Sequence, residues 1–251
     1  MENLSIFAIF DGHGGQFVSD YLEANFAKSI RERLQKFASK RRLSIWQAPG
    51  AKDPVEEAII TEVLKIDDAI SGLDPQFTSM CGSTLISAIV EEKRYVTVVS
   101  VGDSRAVACT AEGKAWALSR DHKPIDPSER RFIEGAGGFV SCTPEDVERV
   151  QGILAVSRSF GDTYLKQLGV LTALPSTIRI DLKEKKLRYI IVATDGFWDV
   201  FSNEEAVKQA STYLRGSRRG TWHQVAQRLV NAALSRGSLD NVSVLVLRFN
   251  C

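Results

Sequence analysis

The sequence predicts an α+β fold, a four-layer α-β-β-α sandwich of two antiparallel sheets flanked by helices, on three observations. Apolar residues recur at helical spacing in two well-separated regions, one running from Phe17 to Ile70 and one from Ala206 to Leu234. Strand-like runs cluster between and around these regions without the one-for-one alternation of a doubly wound sheet. The runs are joined by short turn-forming pieces such as Glu91-Glu92-Lys93 and Gly102-Asp103, which favour antiparallel neighbours.

Taken in order, Leu4 to Phe10 is an apolar run of strand length that stops at Asp11-Gly12-His13-Gly14-Gly15. It has no basic leader and is far shorter than the roughly 20 residues of a membrane span. Helical spacing begins at once with Phe17, Tyr21, Phe26, Ile30, Leu34 and Phe37, and Lys40-Arg41-Arg42 suits a last turn, where cations complement exposed carbonyls. Asp53-Pro54 reads as an N-cap followed by proline at the first helical position, with Val55, Ile59, Val63, Ile66 and Ile70 forming the buried stripe. Strands follow at Ser83 to Val90, Tyr95 to Val101 and Arg105 to Thr110. Pro127 to Ala136 is a short helix, and the polar, aperiodic stretch from Val140 to Gln151 reads as a surface flap, the place where substrate choice would be encoded. A strand at Leu187 to Thr194 stops at Asp195-Gly196, and Ser202-Asn203-Glu204-Glu205 has the form of a capping box opening a helix to about Leu214. Thr221 repeats that capping logic, Gly237 ends the last helix, and Val242 to Phe249 is the final strand.

Composition narrows the functional classes. A chain of 251 residues with 44% hydrophobic and 25% charged residues is an ordinary globule, expected to form one domain over residues 1–251. Lys and Arg total 32 against 31 for Asp and Glu, a formal charge of +1, which supplies no field for nucleic acid or an anionic membrane. Cys81, Cys109, Cys142 and Cys251 show no paired spacing, so free thiols in a reducing compartment are expected and a thiolate zinc site is not.

The chemistry lies at the strand ends. Three apolar strands hand over to Asp11, Asp103 and Asp195, and the last strand begins just after Asp240. In antiparallel sheets the ends of strands running one way share an edge with the starts of strands running the other, so these four carboxylates can converge. Each Asp-Gly or Gly-Asp alone is a turn former. Four together would repel at a cost of several kcal/mol each unless protonated or neutralised by cations. Oxygen donors without suitably spaced histidine or cysteine select Mg²⁺ or Mn²⁺, and they leave His13 free to act as an acid. Two such ions suit the hydrolysis of phosphate monoesters.

Six segments carry a further likeness: Phe10-Asp11-Gly12-His13-Gly14-Gly15, Val101 to Ala106, Asp121-His122-Lys123-Pro124, Leu154 to Asp162, Asp195-Gly196-Phe197-Trp198-Asp199 and Asp240-Asn241. In this order they resemble the signature of the metal-dependent type 2C (PPM) serine/threonine protein phosphatases, most similar to the animal 1L-like branch. The resemblance implies that Asp11 bridges two Mg²⁺ or Mn²⁺ ions, that the Gly12 carbonyl binds one of them, and that Asp195 and Asp240 bind the other. Asp103 resembles the residue of a third, weaker site shared with Asp195. His13 resembles the general acid for the leaving serine or threonine oxygen, a role that imidazole chemistry suits. Water would attack phosphorus directly, without a phosphoenzyme. Phosphoprotein substrates, a monomer and an intracellular, cytoplasmic location, with the nucleus left open, are expected. No nucleic-acid partner is expected.

Asp121-His122-Lys123-Pro124 reads as a local knot, Arg158 and Asp162 as a structural pair, Asp199 as a brace for the Asp195 loop, and Trp198 as core. The family usually carries, ahead of Asp-Gly-His-Gly-Gly, a strand with a phosphate-binding arginine and then a Glu-Asp pair. This sequence begins too late for either, so no substrate-binding residue is assigned. It is expected to be an N-terminally truncated or incomplete sequence, a short form of reduced activity, or a pseudophosphatase that binds phosphoproteins. Loss of such a strand would also expose a sheet edge.

Overall fold

The computed structural model of the protein describes residues 3–41, 53–142, 147–215 and 222–249. The chain opens with β1 (Leu4–Ile9), β2 (Gly12–His13), α1 (Phe17–Arg41), α2 (Pro54–Ser71) and α3 (Pro75–Thr78). A strand-rich stretch follows, with β3 (Gly82–Ser83), β4 (Leu85–Glu91), β5 (Tyr95–Val101), β6 (Arg105–Thr110) and β7 (Ala115–Ala117). Next come α4 (Pro127–Gly135), β8 (Val140–Ser141), β9 (Arg149–Val150), β10 (Phe160–Gly161), α5 (Thr163–Gln167), β11 (Ser176–Asp181) and β12 (Leu187–Ala193). The chain closes with α6 (Asp195–Trp198), α7 (Asn203–Arg215), α8 (Trp222–Ser235) and β13 (Val244–Arg248).

Two antiparallel sheets of four strands form the centre, in the orders β1-β4-β5-β11 and β13-β12-β6-β7. Because side chains alternate along a strand, each sheet builds two cores. Leu85 and Ile89 of β4 pack under Leu22, Phe26, Ile30 and Leu34 of α1 and Ile59, Val63 and Ile70 of α2. Ile86 and Ala88 of the same strand face Ala106, Ala108, Ile190 and Val192 of the second sheet. On its far side that sheet sends Val107, Cys109, Tyr189 and Ile191 against Ala206 and Ala210 of α7 and Val225 and Leu229 of α8. The α-β-β-α sandwich expected from the sequence is present.

The local signals explain the element starts. Asp53 Oδ1 accepts from the Val55 amide at 2.8 Å, and Pro54 opens α2. At α7 the capping box is closed in both directions: Glu205 N–H donates to Ser202 Oγ at 3.2 Å and Ser202 N–H to Glu205 Oε2 at 2.9 Å. At the end of α8, Gly237 has φ +89°, and the amides of Gly237 and Ser238 donate back to Leu234 and Ala233. The proposed cap Thr221, and Arg42 in the basic last turn of α1, lie outside the described residues.

Two expectations are corrected. Gly102-Asp103 does not close a hairpin, because β5 pairs with β4 and β11 whereas β6 pairs with β12 and β7. Gly102 has φ +95° and gives its N–H to His122 Nδ1 at 3.1 Å, so the chain crosses from one sheet to the other there. The flap stretch is not wholly irregular either: β8 and β9 pair across it, with residues 143–146 outside the described set.

Among the described residues, β1 and β13 each pair with a single strand. Beside their open edges lies a cleft of about 810 Å³, lined by Phe7, Val90, Leu182 and Leu247 with Lys93, Lys183 and Lys186. No helix among the described residues is long and apolar enough to cross a membrane.

Candidate active site

The strand ends assemble an acidic rim from both sheets. Asp11 follows β1, and its carbonyl accepts the Thr84 amide at 2.9 Å. The chain then runs into β2, where Gly12 pairs with Ser83 and His13 with Gly82. The tight turn after His13 depends on Gly14, at φ +68°, where a Cβ would drive into the Met80 carbonyl. Asp195 follows β12 of the other sheet and opens α6. Thr194 Oγ1 donates to the Asn241 carbonyl and accepts from the Ser243 amide, both at 3.1 Å, which holds the Asp240 loop against α6. Gly196 lies so close to Asn241 and Asp240 that a side chain there would not fit.

The rim is electrostatically strained. Burial, followed by the Asp195 and Asp240 carboxylates, pushes Asp11 up to about 7. Burial and then Asp195 push Asp103 up to about 7 as well. Asp195 is raised by burial and by Asp199 and Asp240. Asp195 is therefore the carboxylate that each of the other three, Asp11, Asp103 and Asp240, feels or is felt by. Asp195 Oδ1 is buried with no hydrogen-bond partner among the described residues. A buried acceptor without a donor costs about 1–3 kcal/mol, more for a charged group. As the side chains stand, no three His, Cys, Asp or Glu residues among those described are gathered tightly enough to hold one ion. The all-oxygen donor set and the orphaned Asp195 oxygen nonetheless suit a hard cation. Beside Asp11, a polar cleft of about 380 Å³ is lined by Gly12, Gln16, Ser19, Thr194 and Asn241.

His13 stands next to this rim, its Nε2 at 2.7 Å from Asp162 Oδ2. Asp162 is buried, and the same Oδ2 also accepts from Ser159 Oγ at 2.5 Å, so the oxygen that meets the imidazole is held in place. Gly82 makes the pair possible, because a Cβ there would collide with both the Asp162 carboxylate and His13 Nε2. This corrects the expected Arg158–Asp162 pair. Arg158 instead forks onto Glu129 at 2.9 and 2.6 Å, joined by Ser157 Oγ at 2.7 Å.

Asp121-His122-Lys123-Pro124 is a knot, as read from the sequence. The His122 amide donates to the Gly102 carbonyl at 2.9 Å, and its Nε2 meets Ser176 Oγ at 2.8 Å. Asp121 takes Arg105 in a fork of 2.8 and 2.6 Å. Sequence reasoning missed that Lys123 points from this knot into the rim, 3.5 Å from Asp103 Oδ2 and 3.7 Å from Asp199 Oδ1. The backbone of Asp199 braces the loop by donating to the Asp195 carbonyl at 2.8 Å, and Trp198 is core.

A four-layer sandwich with aspartates from both sheets at one rim has the fold of solved phosphatases. The crystal structure of serine-threonine phosphatase 2C from Toxoplasma gondii superposes with a TM-score of 0.81 at 24% identity, covering 100% of this chain and 86% of that one. The family model described as protein phosphatase 2C matches residues 2–242, and the chain belongs to that family. Protein phosphatase 1L of Bos taurus is 37% identical over 246 residues, 98% of this chain and 64% of the relative. The probable protein phosphatase 2C 59 of Arabidopsis thaliana is 39% identical over 249 residues, 99% of this chain and 71% of the relative. The chain thus spans about two thirds of the length of these relatives.

Proposed function

We propose that the chain hydrolyses phosphoserine and phosphothreonine in proteins, using water and divalent cations. Asp11, the Gly12 carbonyl, Asp195 and Asp240 would hold two Mg²⁺ or Mn²⁺ ions, with Asp103 contributing to a weaker third. Bound there, such ions supply Lewis acidity to water and to the phosphoryl oxygens. The oxygen of water forms the new bond to phosphorus as the ester P–O bond breaks. His13 gives its proton to the departing serine or threonine oxygen, and Asp162 with Ser159 holds the ring in place for that transfer. Free thiols at the buried Cys81 and Cys109 support an intracellular, cytoplasmic setting.

The observation that carries this reading is the approach of Asp11, Asp195 and Asp240, which arrive from three distant segments: the Asp195 and Asp240 carboxylates raise the proton affinity of Asp11, and Asp240 raises that of Asp195. The test is release of phosphate from a phosphothreonine peptide with and without Mn²⁺. Turnover should require the metal and should vanish in Asp195→Ala and Asp240→Ala. Metal-independent turnover, or full activity in both variants, would sink the assignment, as would a folded chain that binds the peptide without cleaving it.

A further inference from the structure

The acidic rim already contains one cation. Lys123 reaches Asp103 at 3.5 Å and Asp199 at 3.7 Å. Its backbone is fixed by the two residues before it and by the Asp126 amide, which donates to the Lys123 carbonyl at 2.9 Å. Asp121 is clamped by Arg105, which also donates to Asn203 Oδ1 at 3.0 Å. His122 is tied to Gly102 by two bonds and to Ser176 by a third, and its carbonyl accepts the Ser157 amide at 2.9 Å. A lysine on a free loop would wander; this one is aimed. Asp103 is 4% exposed, so its partner is not a passing surface contact.

The rim is consequently divided. The Asp103–Asp199 flank is partly compensated by a side chain of the protein, whereas the buried Asp195 Oδ1 has no hydrogen-bond partner among the described residues. We propose that Lys123 is a tethered cation that competes with a divalent ion for the Asp103 flank, and so sets how many ions the rim holds and which position fills last. The proposal rests on the metal-dependent reading above. Lys123 acts as a positioning residue: displaced, it would free Asp103 for a metal, and seated, it would keep Asp103 and Asp199 together without one.

The test is calorimetric titration of Mn²⁺ into the chain. Lys123→Met removes the charge but keeps the length of the side chain. It should add one Mn²⁺ per chain or tighten the weakest Mn²⁺ by at least about tenfold, which is about 1.4 kcal/mol. Lys123→Arg, which retains the charge, should titrate like the wild type. Adding Asp103→Asn to Lys123→Met should cancel the gain. If Lys123→Met fails to fold by circular dichroism, Lys123→Gln serves in its place. Wild-type-like titration by the uncharged variants, or a gain that survives Asp103→Asn, overturns the proposal while metal-dependent phosphatase activity stands. A wild-type chain that takes up no Mn²⁺ overturns both.

Discussion

Asp162 has φ +46°, a left-handed conformation that a non-glycine residue adopts at some cost, and from it the carboxylate reaches both His13 and Ser159. Asp162→Asn preserves the shape but loses the charge that steadies an imidazolium. Turnover should drop by a part of the roughly 10²–10⁴-fold that general-acid catalysis contributes, with the pH–rate profile displaced. An unchanged profile would reduce Asp162 to a packing residue. The sequence could not show this pair: the two residues lie 149 positions apart, and Arg158, four residues before Asp162, looked like the natural partner. That arginine is claimed by Glu129, whose place on α4 carries no motif. His122 offers a second test. Burial, with Arg158 next, lowers its pKa to about 4, and the Gly102 N–H donating to Nδ1 keeps that nitrogen unprotonated. Between pH about 6.5 and 4 the unfolded chain therefore takes up a proton that the folded chain refuses. Stability should fall across that window by up to about 3 kcal/mol and be fully present above it. Thermal melts from pH 7 to 4 should show a shallower slope for His122→Gln than for the wild type.

At the scale of elements, strands and helices announced themselves where a local rule sufficed. Leu85 to Glu91 alternates between two cores, and Asp53-Pro54 and Ser202 to Glu205 mark helix starts by hydrogen bonds that involve only neighbouring residues. Ser202→Ala should cost about 1 kcal/mol, seen as a lower denaturation midpoint at unchanged m-value. A drop well above 2 kcal/mol would mean that Ser202 supports more than the capping box. What no local rule reveals is which sheet a strand joins. β5 and β6 are separated by Gly102, Asp103 and Ser104, a hairpin's length, yet belong to different sheets. The crossing is decided by bonds from that turn to His122 and from Ser104 Oγ to Thr84 Oγ1 at 2.9 Å. The same limit hid the small sheet β10-β3-β2, whose two-residue strands carry no periodicity but place His13 against Asp162.

For the whole molecule, the four-layer class was legible because two separate helical regions need two outer faces to cover, and the apolar strands between them need a shared interior. The convergence of the aspartates was legible from strand ends, whereas the resident ammonium of Lys123 was not, since its motif reads equally well as a turn. Asp11 is carried by the first sheet, and Asp195 and Asp240 by the second. Mn²⁺ held between them at 100 times its dissociation constant should raise stability by about 2.7 kcal/mol, and the melting temperature by about 5–10 °C. EDTA should reverse the gain, and a melt indifferent to both would contradict shared ligation. Cations so placed would act as rivets between two plates, so the amides of β1 and β12 should slow their exchange with solvent together on loading, and a chelator would loosen the halves of the sandwich before it unfolded either one.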